Sequence, residues 1–140
     1  MLIILKPTLF KGVNEEYHTM PTVTVELEEG TKNFEVSNGT RLVLALENNG
    51  VDISHRCGGN AKCTTCRCEV LSGEPDKMTK AEREKLVAGE NLGKFRLSCQ
   101  ISVENDLTVK PLMRVKDMDW DDPGKTPANE ITPSPEWTTK

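Results

Sequence analysis

Cys57, Cys63 and Cys66 fall within ten residues, in the stretch Cys57-Gly58-Gly59-Asn60-Ala61-Lys62-Cys63-Thr64-Thr65-Cys66, a C-x5-C-x2-C spacing. A fourth thiol, Cys99, follows 33 positions after Cys66, in Leu97-Ser98-Cys99-Gln100-Ile101. Four thiolates brought to one place can bind two ferric ions bridged by two sulfides, two thiolates to each iron. A loop that gives three of the four must wrap the centre and turn its backbone N–H groups toward the sulfurs. Gly58 and Gly59 suit that, because glycine tolerates positive φ and has no Cβ to block a close approach. Asn60, Ala61, Thr64 and Thr65 are small or polar and crowd such a centre little.

Two other readings use the same residues. A structural zinc site also takes four cysteines, but it usually presents two short C-x2–4-C knuckles, and only Cys63-x2-Cys66 has that form. A redox-active dithiol could use Cys63-Thr64-Thr65-Cys66, but that motif normally opens a helix after a strand, and here a strand follows it. The fifth cysteine, Cys68, lies two residues after Cys66 on that strand and so points to the same face. It reads as a small core side chain rather than a spare ligand. His55 precedes the first cysteine by two positions and reads as a loop residue able to modulate the centre with pH. Arg56, Lys62 and Arg67 flank the thiols; they read as docking charges beside an exposed loop, or, where their charges lie close to the centre, as cations that favour its reduced state. His18 carries no visible role.

The elements that must hold this loop are legible on both sides of it. Val23 and Val25 alternate with Thr22, Thr24 and Glu26, which predicts a strand. Glu29-Gly30-Thr31 turns, and Asn33-Phe34-Glu35-Val36 is the hairpin partner. Thr40 is placed to cap a helix carrying Leu42, Ala45 and Leu46, closed by Gly50. After the cysteine loop, residues 67–71 predict a strand. Thr79-Lys80-Ala81-Glu82 matches a capping box, which predicts a helix over 79–88. Phe95 to Val103 predicts a buried strand that carries Cys99, and Leu107-Thr108-Val109 a last one after the turn at Asn105-Asp106. This order predicts an α+β domain over 20–110, one mixed sheet with a helix packed across it. Residues 1–19 form an N-terminal extension. Five of the eight prolines lie in 111–140 together with Asp117, Asp119, Asp121 and Asp122. That composition predicts an extended or disordered acidic tail.

The 140 residues carry a net charge of −4, which argues against a general nucleic-acid binder, since phosphate binding needs clustered Lys and Arg. No apolar run approaches the roughly 20 residues that cross a bilayer. The chain is expected in the cytoplasm, where thiols stay reduced or hold a metal. There is no Gly-rich nucleotide motif after a strand, so a carrier is expected rather than an enzyme.

The residues Cys57-Gly58-Gly59, Cys63-Thr64-Thr65-Cys66 and Leu97-Ser98-Cys99-Gln100-Ile101 resemble the [2Fe–2S] ferredoxin family, over about residues 20–110. The resemblance implies a β-grasp fold, a [2Fe–2S] cluster, and a pairing in which Cys57 and Cys63 hold one iron and Cys66 and Cys99 the other. Five residues in the first gap look more like the adrenodoxin and bacterial-hydroxylase branch than the plant-type C-x4-C-x2-C. The strongly acidic docking helix of that branch is not matched here, because helix 79–88 mixes Lys80, Arg83 and Lys85 with Glu82 and Glu84. The implied function is one-electron carriage by a monomer that docks transiently, through charge, with a reductase donor and an acceptor enzyme. A zinc-binding interaction module and a cluster-based redox sensor are the alternatives.

Overall fold

The structure, a computed structural model, describes residues 20–140; the expected extension 1–19 lies outside the described residues. Strand β1 (Thr22–Leu27) turns into β2 (Gly30–Glu35), and the two pair antiparallel from Thr22 opposite Glu35 to Leu27 opposite Gly30. The alternation seen in the sequence has its expected cause: Val23 and Val25 are fully buried while Thr22, Thr24 and Glu26 are not. Strand β8 (Leu107–Pro111) runs parallel to β1, and β4 (Arg67–Ser72) runs antiparallel to β8. With β6 (Arg96–Leu97) at the far edge, the sheet order is β2-β1-β8-β4-β6.

Helix α1 (Leu42–Asn48) buries Leu42 through Leu46 in the core that also holds Val23, Val25, Ile101 and Val109. Burying one such side chain contributes about 1.5–3 kcal/mol. The capping expectation fails at its start. Thr40 forms the short strand β3 (Thr40–Arg41) with β7 (Ser102–Val103), and its hydroxyl donates to the Ser37 carbonyl. Arg41 takes the N-cap position without a side-chain cap bond, because its guanidinium turns inward instead.

Helix α2 (Lys80–Ala88) begins where the capping motif predicts, with the Thr79 hydroxyl accepting from the Glu82 N–H. The reciprocal half of the box is not made. Glu82 is fully buried, and its carboxylate accepts from Arg96 Nε at 2.8 Å, Arg96 Nη2 at 3.1 Å and Leu97 N at 2.8 Å. A buried carboxylate needs such partners, and they outweigh the local cap.

One further expectation is corrected, and another is made specific. The run 95–103 is not one strand: β6 ends at Leu97, Ser98–Gln100 make a 3-10 turn, and β7 follows. Cys99 therefore sits on a tight turn. The segment from Pro111 onward, expected as an extended or disordered tail, is extended but held. Arg114 is gripped by Glu29 and Asp52, Pro123 accepts from the His55 N–H, and β9 (Trp137–Thr139) pairs with β5 (Lys77–Thr79). Its composition hid this because many of its bonds use the backbone, which any residue supplies.

Candidate functional site

The loop between α1 and β4 is folded by backbone conformations that side chains rarely adopt. Gly59 has φ +86, and a Cβ there would stand 2.7 Å from Arg41 Nη2 and 2.9 Å from Pro127 Cβ. Ala61 and Thr64 also hold positive φ, at 59° and 55°. Left-handed backbone at residues with a Cβ is strained, and persists where surrounding structure imposes it.

The outcome of these turns is a set of N–H groups aimed at sulfur. Asn60 N lies 3.2 Å and Lys62 N 3.4 Å from Cys57 Sγ, and Cys57 N lies 3.2 Å from Cys63 Sγ. Cys99 N lies 3.4 Å from Cys66 Sγ, and the Gln100 side-chain amide 3.5 Å from Cys99 Sγ. The Thr65 hydroxyl lies 3.1 Å from Cys63 Sγ.

The four thiols group in pairs. Cys57 donates its N–H to Cys63 Sγ, and Cys99 donates its N–H to Cys66 Sγ. Two pairs in a shell of N–H donors fit a two-iron centre better than one tetrahedral zinc.

The electrostatics differ between the pairs. Burial pushes the Cys57 thiol up, but the N–H groups of Lys62, Asn60 and Cys63 together outweigh it and bring the thiol to about 7. Cys66 and Cys99 share a buried hydrogen bond that raises Cys66 and lowers Cys99. The Gln100 amide, the Ala61 N–H and the Arg41 charge further favour the Cys99 thiolate. Cys57 and Cys63 are half-exposed while Cys66 and Cys99 are buried.

Cys68 stands apart from the four. It is fully buried in β4, and burial, followed by the Glu82 charge, pushes its thiol up to about 12. Iodoacetamide is expected to leave Cys68 unlabelled until urea unfolds the domain; labelling in native buffer, read by peptide mass, would mean that β4 opens. His55 lies in the loop, as expected, but is buried there. It is 1% exposed, and its Nε2 meets Glu47 Oε1 at 3.1 Å. Of the three flanking cations, Arg56 lies over the Trp120 ring and bonds Asp122, and Arg67 lies over Phe95 and bonds Thr64. Lys62 is exposed on the loop.

Sequence reading missed Arg41 altogether and gave Gln100 no role. Both are buried, and both bond the loop's Gly59 carbonyl, Arg41 Nη2 at 2.6 Å and Gln100 Nε2 at 3.3 Å. Position 41 beside a helix start carries no signal of this, whereas Gln100 stood next to a candidate ligand.

The comparisons with known proteins agree with this geometry. A family model described as a 2Fe-2S iron-sulfur cluster binding domain matches residues 25–104. Rhodocoxin from Rhodococcus erythropolis is 39% identical over 95 residues, covering 63% of this chain and 89% of that one. One component of the Na(+)-translocating NADH-quinone reductase of a Marinomonas strain is 34% identical over 88 residues, 63% of this chain but 21% of that one. The chain thus spans about a fifth of the length of such reductase components. Among solved structures, the ISC-like [2Fe–2S] ferredoxin of Pseudomonas putida matches with a TM-score of 0.55 and 30% identity, over 65% of this chain and 91% of that one.

Proposed function

The chain belongs to the family of 2Fe-2S iron-sulfur cluster binding domains, and on that premise we propose that Cys57, Cys63, Cys66 and Cys99 hold a [2Fe–2S] cluster with which the protein carries single electrons. Cys57 and Cys63 bind one iron, Cys66 and Cys99 the other. The observation that supports this most is the grouping of the four thiols in two pairs within a shell of N–H donors.

When bound, the cluster supplies one-electron redox chemistry, and reduction adds a negative charge to the site. The chain's own residues are arranged for that charge. The N–H groups of Asn60, Lys62, Cys57 and Cys99 and the amide of Gln100 point at the sulfurs, which favours the more negative state. The half-exposed Cys57–Cys63 side is where a partner comes nearest, and the buried Cys66–Cys99 side faces the core.

The partners are a reductase donor and an acceptor enzyme, docked weakly and through charge as in small electron-transfer encounters. Likeness to a component of an NADH-quinone reductase supports a place among redox proteins. No described helix is long and apolar enough to cross a membrane. The place of action is the cytoplasm, where thiols stay reduced and free to take metal.

Anaerobically purified protein is expected to contain about two irons and about two acid-labile sulfides per chain. One zinc without sulfide would sink this reading in favour of a zinc-binding interaction module.

A further inference from the structure

The strap that follows β8 crosses the cluster loop, yet the family model ends at residue 104, before the strap begins. Its attachment is specific. Arg41 is 1% exposed and spends its guanidinium on backbone carbonyls of three segments. Nε and Nη2 donate to Cys99 O at 3.0 and 2.8 Å, and Nη2 also to Gly59 O at 2.6 Å. Nη1 donates to Ala128 O at 2.8 Å and Glu130 O at 3.1 Å. The Gly59 carbonyl is the joint: the Gln100 amide and, at 3.4 Å, the Thr132 hydroxyl also reach it. Gln100 then holds Thr132 O at 2.8 Å.

We propose that Arg41 is a positioning residue that locks the strap 123–132 onto both sides of the cluster site and, through its charge, holds the cluster toward its reduced state.

The charge of Arg41 acts apart from its hydrogen bonds. Among the described residues no carboxylate pairs with Arg41. A buried cation without a counter-charge is costly, and proteins retain one where an anion is supplied. The guanidinium instead sits against the ligand loop itself, on the carbonyl of Cys99 at 2.8 Å and on that of Gly59, two residues from Cys57, at 2.6 Å. The thiolates around a cluster are the anion placed to compensate Arg41. By the same attraction, Arg41 stabilises the extra negative charge that reduction adds, which raises the reduction potential. The strap excludes solvent from the loop at Gly59, where Pro127 closes over it, and so slows loss of the cluster.

The inference rests on the cluster reading above, and the test separates the two. Full-length Arg41→Met, Arg41→Lys and Gly124→Ala proteins are compared with wild type after iron and sulfide analysis. A Cβ at Gly124 would stand 2.7 Å from both His55 O and Arg56 Cα, so Gly124→Ala pries up the strap with Arg41 intact. The readouts are the reduction potential, the bleaching rate under an iron chelator, and backbone hydrogen exchange of 123–132. Arg41→Met is expected to lower the potential, to bleach roughly tenfold faster, and to speed exchange of the strap. Arg41→Lys keeps the charge but not the planar fork. It is expected to restore the potential toward wild type while strap exchange stays fast. Gly124→Ala is expected to exchange and bleach faster. A wild-type potential or bleaching rate in Arg41→Met overturns the proposal. If that variant takes up no cluster, a wild-type bleaching rate in Gly124→Ala, with its strap exchanging faster, does so instead. Absence of iron and sulfide from the wild-type protein would sink the cluster reading itself.

Discussion

Cys99→Ser protein is expected to lose its iron and sulfide, while Cys68→Ser keeps about two of each per chain. The two cysteines lie in neighbouring elements and are both buried, so exposure does not separate them. Their surroundings do. Cys99 shares a hydrogen bond with Cys66, receives the Gln100 amide, and sits where the Arg41 charge favours its thiolate. Cys68 lies in β4 opposite Arg96 and Pro111, where burial and the Glu82 charge oppose ionisation. A metal takes the thiolate and not the thiol, so only the first environment suits a ligand. A serine at 68 buries a hydroxyl in place of a weakly polar thiol, which costs about 1–3 kcal/mol if it finds no partner. Cys68→Ala controls for that cost. Visible absorption and metal analysis of the three proteins decide the matter. An apo Cys68→Ser protein, or a fully loaded Cys99→Ser protein, would sink the ligand assignment.

What could be read from the residues divides by distance along the chain. The loop Cys57–Cys66, its glycines and the hairpin at Gly30 are local, and local pattern revealed them. The start of α2 was legible for the same reason. What failed was decided from afar. Arg41 bonds carbonyls up to 89 positions away, and a carbonyl leaves no mark in a residue's type. Glu82 matched a capping motif, yet Arg96, 14 positions on, claimed its carboxylate. The run 95–103 is apolar enough for a strand, but Ser98–Gln100 tighten into a turn that brings the Cys99 N–H to Cys66 Sγ. The strap shows the same limit from the other side. The prolines and aspartates of 111–140 match the composition of unfolded chain, while the order of that segment comes from Arg41 and Gln100 reaching out to it and from its own Arg114 reaching back to Glu29 and Asp52.

The ion pair of Glu82 and Arg96 carries the largest expected effect on stability. Arg96 is 4% exposed and Glu82 fully buried. Beyond Glu82, Arg96 donates to Pro75 O at 3.1 Å, Lys77 O at 3.2 Å and Glu74 Oε2 at 3.3 Å. Burial alone would lower the Arg96 pKa, but the Glu82 hydrogen bonds and charge, then Glu74, raise it. One guanidinium thus joins α2, the segment 74–77 and β6, the strand that leads into the Cys99 turn. Glu82→Gln keeps the shape but leaves Arg96 without its buried counter-charge, since Glu74 is partly exposed and longer in reach. Removing one partner of such a pair costs about 3–5 kcal/mol. For a domain of this size that is a fall in apparent Tm on the order of 10 °C or more. Because loss of a cluster is irreversible, wild type and variant must be scanned at one heating rate. Glu82→Leu combined with Arg96→Met removes both charges, and replacing a buried pair by apolar side chains is often neutral. The double variant is therefore expected to melt above Glu82→Gln. If it melts lower, the hydrogen bonds from Arg96 to Pro75 and Lys77 hold the β6 edge more than the ion pair does, and the turn bearing Cys99 is positioned by backbone contacts instead of charge.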